Sequence, residues 1–341
     1  MKVSIQIVTW NSLRYIFDCL ESLMRQSFRD FSVLIIDNAS DDGTVEFIRA
    51  NYPTVSVLQN FRNLGYARAN NQGIQLSTAN YVLVMNPDVV LAEDFLEKIV
   101  SFAESKPHGG SFGGKILKLR SQAIDEKDEA GLRQMIKSEI IDAAGLAIFK
   151  SRQVINRGEN EADQNQFERR QEVFGLTGAC VLYRRSALLD IAIKNEFFDS
   201  DFFAYKEDID LAWRLRLYGW ENWYQPAAVN YHYRQMSAPE VINFKNKFLS
   251  RQRSSKILRR FSWRNHHLML AKNDFFGNLI LALPWFLVRE IKIILYFLIF
   301  EPFQFKNFIE FFRLLPLALI KRKVIMAHRK VEAKGMRQWF K

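Results

Sequence analysis

Two clusters of polar residues follow apolar, strand-like runs near the start of the chain, and their residue types suit nucleotide binding. Thr9, Trp10 and Asn11 follow the first run. Asp37 and Asn38 follow the second. An aspartate there can accept a hydrogen bond from a nucleobase N–H while the indole ring covers the base. A helix cap or a local turn would explain either cluster alone, but the repetition at successive strand ends favours a nucleotide site.

A segment with a central glycine, residues 60–73, offers a place for a diphosphate. Gly65 permits a tight turn before a predicted helix, and backbone amides at helix N-termini bind phosphate. The segment has neither the Gly-Lys-Ser/Thr of a Walker loop nor the dinucleotide-binding glycine pattern. A diphosphate site and a structural turn are therefore equally good interpretations.

Asn86, Pro87 and Asp88 follow an apolar strand and suggest a metal ligand. A carboxylate at the end of a buried strand is costly unless it is paired, and a divalent cation holding a diphosphate would pair it. A turn beginning with Asn-Pro is the alternative. His232 is a lone histidine, which is usually structural, but a neutral imidazole is a competent ligand beside a carboxylate-bound cation.

Glu207 and Asp208 follow an aromatic run, residues 202–205, and open a predicted helix. Negative charge is favoured at a helix N-terminus, which explains the acids but not the aromatic residues. An aromatic wall beside adjacent carboxylates indicates a site in which one of them is a general base. Asp210 and Arg214, four residues apart, are expected to pair as scaffold.

The elements that must position these clusters predict an α/β domain. Strand-like and helix-like segments alternate at short spacing, which is typical of a mostly parallel sheet with helices on both faces. Such sheets bind ligands at the carboxyl ends of their strands, where the clusters fall. The predicted strands are residues 2–8, 31–36, 55–59, 81–85, 147–150, 154–156 and 173–183, and the predicted helices are 13–27, 45–51, 67–77 and 209–217.

The last third of the chain differs in charge from the rest. The net charge is +11, and residues 236–341 hold 21 Lys and Arg against 6 Asp and Glu, with 14 of the 29 Phe. Two uncharged runs, 275–288 and 293–300, are shorter than the ~20 residues of a spanning helix. Apolar faces flanked by basic residues suit helices lying on an anionic membrane surface, and a homodimer through the same helices is the alternative. We place the domain boundary at 237/238.

Two further features concern the compartment and the partner class. Cys19 and Cys180 lie among apolar neighbours without a disulfide pattern, and the opening apolar run is too short for a signal peptide. Both favour the cytoplasm. A basic protein can also bind nucleic acid, but the basic residues alternate with apolar runs and form no nucleic-acid-binding module. We therefore expect a peripheral protein on the inner face of the cell membrane and no nucleic acid partner.

In combination, these motifs resemble the family 2 glycosyltransferases, inverting enzymes of the GT-A fold, and within them the bacterial rhamnosyltransferase-like members. The resemblance covers residues 3 to about 237. It rests on the order of six segments: 8–12, 36–44, 63–67, 85–88, 175–185 and 202–214, followed by His232.

The resemblance implies a role for each matching residue. A nucleotide-sugar donor would be held by Thr9, Trp10, Asn11, Asp37, Asn38, Gly65, Asn70, Asn86 and Asp88. Asp88 and His232 would bind Mg²⁺ or Mn²⁺, and Asp208, beside Glu207, would be the catalytic base. The acceptor would be the hydroxyl of a polysaccharide or lipid-linked glycan, with residues 120–172 as the place for its contacts.

Asn86 stands where the family often has the first aspartate of an Asp-X-Asp metal motif. One carboxylate fewer weakens the expected metal binding. Asparagine at this position occurs among the rhamnosyltransferase-like members, which favours dTDP-L-rhamnose as donor. A sugar-phosphate nucleotidylyltransferase is the related alternative, but it would need an N-terminal glycine-rich loop with a nearby Lys or Arg, which residues 9–11 do not offer.

Overall fold

The computed structural model describes residues 1–123, 133–233 and 256–341. The strands are β1 (Val3–Thr9), β2 (Phe31–Asp37), β3 (Ser56–Gln59), β4 (Tyr81–Met85), β5 (Val89–Leu91), β6 (Gly109–Ala123), β7 (Arg133–Ala143), β8 (Leu146–Ile148), β9 (Val154–Asn156), β10 (Gln171–Glu172), β11 (Cys180–Arg184) and β12 (Glu221–Tyr233). The helices are α1 (Leu13–Met24), α2 (Thr44–Asn51), α3 (Tyr66–Leu76), α4 (Phe95–Glu104), α5 (Arg185–Asp190), α6 (Glu207–Leu217), α7 (Lys256–Asn273), α8 (Phe276–Leu281), α9 (Leu283–Phe300), α10 (Lys306–His328) and α11 (Ala333–Arg337).

One large sheet organises the molecule, in the order β10-β12-β6-β11-β4-β1-β2-β3, with β5 beside β12 and β7 beside β6. Strands β1 to β4 pair in parallel, as does β12 with β6. The other pairings are antiparallel. The predicted α/β class is confirmed. The parallel character holds for the first four strands, which are joined by α1, α2 and α3, and for the β6–β12 pair.

The alternation of apolar residues along the strands places the core on both faces of the sheet. In β4, Leu83 and Met85 point to one face, and Val82 and Val84 point to the other. The first face packs on α1, α2 and α4, and the second packs on α3, α6 and parts of the C-terminal helices. A strand covered on both sides reads as a continuous apolar run, which is why β4 was predicted with its correct bounds.

The predicted strand at 173–183 forms only in its second half, as β11. The backbone before it turns away from the sheet, because the amide of Gly178 donates to the Asp208 carboxylate and the carbonyl of Gly175 accepts from the amide of Leu146. The Gly178 amide thus bonds to a side chain and the Gly175 carbonyl bonds to β8, so neither group joins the hydrogen bonds of the large sheet.

The C-terminal helices share the core of the α/β domain. Leu268 and Met269 of α7 and Ile325 of α10 belong to the same buried apolar cluster as Trp213 of α6. Lys272 of α7 is buried and forms ion pairs with Asp199 and Asp210. The helices are therefore fixed to the α/β domain by both packing and charge. The predicted boundary at 237/238 lies outside the described residues.

Helix α9 contains Arg289, Glu290 and Lys292 in its middle, and Ala282 separates it from α8. No helix in the described part of the chain is both long enough and apolar enough to cross a membrane. Apolar side chains nevertheless lie exposed along α9, including Leu287, Ile291, Leu295 and Leu298. Their spacing of three to four residues places them on one face of the helix.

Candidate active site

The carboxyl ends of neighbouring strands bring the predicted nucleotide residues to one edge of the sheet. Thr9 of β1 is in register with Asp37 of β2, and Asp37 is in register with Gln59 of β3. Met85 at the end of β4 is in register with Ile7 of β1. Parallel pairing therefore explains why clusters that are far apart in sequence share one edge.

Thr9 and Asp37 are fully buried and hydrogen-bonded to each other. The Thr9 hydroxyl donates to Asp37 Oδ1 at 2.8 Å, and the Ser40 hydroxyl donates to the same oxygen at 2.5 Å. Ser40 also orients Asn11, whose amide donates to the Ser40 hydroxyl at 2.9 Å. Trp10, by contrast, is 60% exposed. The polar side chains of the cluster are thus fixed by hydrogen bonds, and the Trp10 ring is available for stacking.

The turn before α3 is held by internal bonds. The amide of Gly65 donates to Asn63 Oδ1 at 2.9 Å, and the amide of Tyr66 donates to the carbonyl of Phe203 at 2.8 Å. Gly65 has φ +82°, and a Cβ there would lie 2.5 Å from the Phe203 carbonyl oxygen, so only glycine fits. These two amides are thus engaged within the protein, and a contact of this turn with a diphosphate stays a prediction.

Two asparagines, Asn38 and Asn70, lie beside this turn and are buried. Asn38 Oδ1 accepts from Asn60 Nδ2 at 3.0 Å and its Nδ2 donates to the Gly65 carbonyl at 3.3 Å. Asn70 Nδ2 donates to the Tyr66 carbonyl at 3.0 Å. Asn38 thus ties the turn to the sheet edge, whereas Asn70 bonds within the first turn of α3, and the contact of either with a diphosphate stays a prediction.

Asp88 and His232 lie side by side, as the sequence predicted for a shared metal. Strand β5 continues directly from Asp88 and pairs with β12, with Val89 opposite His232. The imidazole Nε2 lies 3.2 Å from Asp88 Oδ1, and Nδ1 lies 2.9 Å from Asp142 Oδ2. The ring is thus held between two carboxylates, and Asp142 was not predicted from the sequence.

The donor set around Asp88 fits a divalent cation. Within the described part of the chain, no group donates a well-aligned hydrogen bond to the buried Oδ1 of Asp88. A ligating histidine usually donates its other N–H to a carboxylate, and Asp142 is in that position. No group of three or more His, Cys, Asp or Glu among the described residues could hold a metal by itself. A cation here would therefore take its remaining ligands from substrate and water.

Asp208 is fixed by backbone amides at the start of α6. Its Oδ2 accepts from the amide of Gly178 and its Oδ1 from the amide of Ile209, both at 2.8 Å. A Cβ at Gly178 would lie 3.1 Å from the Asp208 Cβ, so glycine allows this close approach. Both oxygens of Asp208 thus accept a backbone hydrogen bond, which fixes the orientation of the carboxylate toward the cavity side of α6.

Glu207 is buried beside it and differs in protonation. Burial, reinforced by the negative charge of Asp208, raises the pKa of Glu207 to about 8. Glu207 Oε2 has no hydrogen-bond partner among the described residues. A carboxyl group that is buried next to another carboxylate keeps its proton to a higher pH, so Glu207 is the member of the pair that is protonated near neutral pH.

The loop that leads into α6 is held by helix α7. Tyr205 and Lys206 both have left-handed backbone angles, with φ +72° and +73°. Asn265 of α7 donates from Nδ2 to the carbonyl of Ala204 at 3.0 Å and to that of Tyr205 at 2.9 Å. Such angles cost energy outside glycine and persist only where the surroundings hold them. The C-terminal helices thus help to position the carboxylate pair.

A cavity of about 270 Å³ lies in front of these carboxylates. Lys206, Glu207 and Asp208 line one side, and Ile155 and Asn156 of β9 line the other. The β8–β9 hairpin belongs to the stretch predicted to contact an acceptor. Its position opposite Asp208 is consistent with that prediction.

Residues 4–191, more than half of the chain, match the sequence profile described as Glycosyl transferase family 2. The chain belongs to this family. It is 31% identical over 242 residues to N-acetylglucosaminyl-diphospho-decaprenol L-rhamnosyltransferase of Mycobacterium tuberculosis, which covers 67% of this chain and 75% of that protein. This chain is thus a glycosyltransferase, as the sequence predicted.

Solved structures of glycosyltransferases share the fold of this family 2 member. Staphylococcus aureus TarS 1–349 in complex with UDP-GlcNAc superposes with a TM-score of 0.54 at 16% identity, covering 100% of this chain and 93% of that one. GalNAc-T7 with UDP, GalNAc and Mn²⁺ gives a TM-score of 0.57 at 13% identity, covering 80% of this chain and 48% of that one. The predicted GT-A fold is confirmed.

Three residues that the structure places at the candidate site of this glycosyltransferase were not predicted from the sequence. Asp142 is a carboxylate within an apolar stretch. Because burying an unpaired carboxylate is costly, its position in that stretch could have indicated a nearby partner. Gly178 lay in a motif but had no assigned role. Asn265 is one asparagine of an ordinary helix, and no local pattern indicates that it caps a loop sixty residues earlier in the chain.

Proposed function

We propose that the protein is an inverting glycosyltransferase that moves L-rhamnose from dTDP-L-rhamnose to a hydroxyl of a polysaccharide or lipid-linked glycan. One arrangement carries the proposal: three predicted sites converge at Gly178 and Ala179. The carbonyl of Ala179 accepts from the Asn86 amide, the carbonyl of Gly178 accepts from the Tyr66 hydroxyl, and the Gly178 amide donates to Asp208. The nucleotide edge, the metal motif and the base are thus directly connected.

In the proposed reaction, Asp208 accepts the proton of the acceptor hydroxyl. The hydroxyl oxygen forms a bond to the anomeric carbon while the bond from that carbon to the nucleoside diphosphate breaks on the opposite side. A single displacement of this kind inverts the configuration. Glu207, protonated at neutral pH, leaves Asp208 as the charged member of the pair.

The donor would bind at the sheet edge. Trp10 supports the base, with Thr9, Asn11, Asp37 and Asn38 around it, and Gly65 and Asn70 form the turn beside the diphosphate. Asp88 and His232 would hold Mg²⁺ or Mn²⁺, with Asn86 adjacent. When bound, the cation offsets negative charge on the leaving diphosphate. GalNAc-T7, a structure of the same fold, was solved with Mn²⁺.

The choice of rhamnose rests on the mycobacterial relative, whose name gives an L-rhamnosyl donor and a diphospho-decaprenol acceptor. A lipid-linked acceptor requires an enzyme that works at a membrane surface. The exposed apolar face of α9 and the basic C-terminal third support a peripheral position on the cytoplasmic face of the membrane.

A screen of nucleotide sugars tests the proposal. We expect dTDP-L-rhamnose to raise the thermal midpoint of unfolding more than UDP- or GDP-sugars do, and to be consumed only when Mn²⁺ or Mg²⁺ is present. A different sugar giving the larger shift would reject the rhamnose assignment while keeping the reaction class.

Asp208→Asn tests the base. We expect transfer to fall about 10²–10⁴-fold, the usual contribution of a general base, with the affinity for dTDP unchanged. Asp94→Asn, at an exposed aspartate that pairs with Lys98, is the matched control and should keep full activity. An active Asp208→Asn variant would reject the assignment.

A further inference from the structure

Three adjacent cavities lie between Asp208 and the exposed face of α9. The inner cavity is the one lined by Asp208 and Ile155. The middle cavity, about 440 Å³, shares Ile155 with it and also contacts Lys150 and Trp285. The outer cavity, about 660 Å³, shares Trp285 with the middle one and continues along α9. Shared lining residues make the three spaces consecutive.

The wall that α9 contributes to the outer cavity is a single stripe of the helix. Trp285, Val288, Arg289, Lys292 and Ile293 line it, at spacings of one or two helical turns. The opposite wall is the turn of the β8–β9 hairpin, with Ser151 and Gln153. The neighbouring stripe of α9 carries the exposed apolar side chains described above. The outer cavity therefore opens directly beside an apolar surface.

Negatively and positively charged side chains line different cavities of the row. The carboxylates that line it, including Glu207 and Asp208, are all in the inner cavity. Lys150 lines the middle cavity, with its ammonium 5.3 Å from the centre of the Trp285 ring, and Arg289 and Lys292 line the outer cavity. Arg289 pairs with Glu290, whereas Lys150 and Lys292 have no ion-pair partner among the described residues. The middle and outer cavities thus carry an excess of positive charge.

Lys206 extends this positive charge to the inner cavity. It lies on the cavity wall directly before Glu207, and its ammonium group has no ion-pair partner among the described residues, although its carbonyl accepts from the Asp210 amide at 2.9 Å. Burial lowers the pKa of Lys206, while the charge of Asp208 acts in the opposite direction. A phosphate group near the neck between the cavities would give this ammonium a partner.

We propose that this row is the acceptor channel and that it fits an isoprenoid lipid diphosphate carrying a sugar. The sugar hydroxyl reaches Asp208 in the inner cavity, the diphosphate lies against Lys150, Arg289 and Lys292, and the hydrocarbon chain leaves along the apolar face of α9. The inference deepens the proposed function, since it takes Asp208 as the base that receives the acceptor. Charge complementarity and continuity with the inner cavity select this ligand over an uncharged glycan, which would leave the cations unused.

The test is calorimetric binding of farnesyl diphosphate to the full chain in detergent, without any sugar donor. We expect saturable binding at one site, and we expect Lys292→Glu to raise Kd about tenfold or more, as for loss of a charge-assisted phosphate contact. Lys323→Glu makes the same charge change at an exposed lysine of α10 and should stay close to wild type. Farnesol, which lacks the diphosphate, should bind the wild type and Lys292→Glu with the same Kd.

Two results would overturn the channel. One is an equal effect of Lys292→Glu and Lys323→Glu, which would indicate general attraction of anions to a basic surface. The other is photolabelling by a benzophenone-bearing isoprenyl diphosphate at sites away from Trp285. If dTDP-L-rhamnose fails in the donor screen but farnesyl diphosphate still binds in a way that depends on Lys292, the proposed donor is rejected and the channel is kept. If transfer is normal but farnesyl diphosphate does not bind in this way, the channel is rejected and the donor is kept.

Discussion

Asp142 helps to orient the His232 ring so that one of its nitrogen atoms, Nε2, faces Asp88. The carboxylate lies 2.9 Å from Nδ1 and can accept a hydrogen bond from Nδ1–H; with a cation at Asp88, this tautomer would offer the Nε2 lone pair to the metal. Asp142 is buried, and this contact accounts for a carboxylate within an apolar stretch. We regard it as a positioning residue for the metal site rather than as a ligand.

Asp142→Asn is expected to weaken Mn²⁺ binding about 10- to 100-fold, because the histidine loses the charged partner that orients it. Titration of Mn²⁺ by electron paramagnetic resonance measures the affinity directly, and activity should recover at high Mn²⁺. Asp142→Glu keeps the charge and should restore most of the affinity. A loss of activity that no metal concentration rescues would instead indicate a structural defect.

Glu207 makes the stability of the fold depend on pH. Its pKa is raised to about 8 in the folded protein, while the ordinary value is near 4.5. Between these values the folded state binds a proton that the unfolded state does not bind. The free energy of unfolding therefore falls as the pH rises through this window.

Glu207→Gln removes the titrating carboxyl group and should therefore flatten the pH dependence of the free energy of unfolding. We expect the variant to gain stability relative to wild type by roughly 1 kcal/mol per pH unit between about pH 5 and pH 8. Urea unfolding of both proteins at several pH values measures the difference, in which the other titrating groups cancel. A difference that does not change with pH would contradict the raised pKa.

At the scale of elements, the segment before α6 depends on a helix that follows it far along the chain. Asn265 of α7 caps the carbonyls of Ala204 and Tyr205, and Arg264 of the same helix donates to the carbonyl of Asp201 at 3.1 Å. The left-handed angles at Tyr205 and Lys206 point the next two residues into the inner cavity. The position of Asp208 is thus a product of α6 and α7 together.

Asn265→Ala should lower kcat about tenfold and leave the affinity for dTDP unchanged, because a small displacement of Asp208 misaligns proton transfer. Asn278→Ala is a matched control, since Asn278 is also buried and donates to one backbone carbonyl, that of Ala333, at 2.8 Å. Each variant should lose about 1–2 kcal/mol of stability. Equal kcat values for the two variants would contradict a role of α7 in catalysis.

At the scale of the whole molecule, the catalytic domain and the exposed apolar face are parts of one body. Lys272 and Lys321 both pair with the buried Asp199, and their charges hold the pKa of that carboxyl well below its usual range. The C-terminal helices cannot leave the domain without exposing these charges. A membrane surface that contacts α9 would therefore also orient the acceptor channel.

Leu295→Glu tests this surface. Leu295 is 51% exposed on α9, and placing a charge there should reduce binding to vesicles containing anionic lipid about tenfold or more. Leu189→Glu, at a leucine 49% exposed on α5, is the control and should bind normally. Cosedimentation measures binding, and sedimentation velocity measures mass. A wild-type dimer that Leu295→Glu dissociates, without any vesicle binding, would support the homodimer instead.

The sequence by itself determined the class of the fold and which polar residues meet at the edge of the sheet. Strand β4 is a continuous apolar run because both its faces are covered, and the polar residues at the ends of parallel strands meet at one edge of the sheet. Local patterns also predicted the Asp210–Arg214 pair, which forms at 3.1 Å. These features depend on residues close together in the chain, which is the information that spacing contains.

Only the tertiary structure decided which distant residues complete the site. The contacts of His232 with Asp142, of Gly178 with Asp208 and of Asn265 with Ala204 each join separate elements, and their register depends on the packing of the whole sheet and on α7. The row of cavities likewise exists because α9 lies against the β8–β9 hairpin. Burial and charge compensation operate in three dimensions, so a sequence can show a costly residue such as Asp142 without showing the partner that stabilises it.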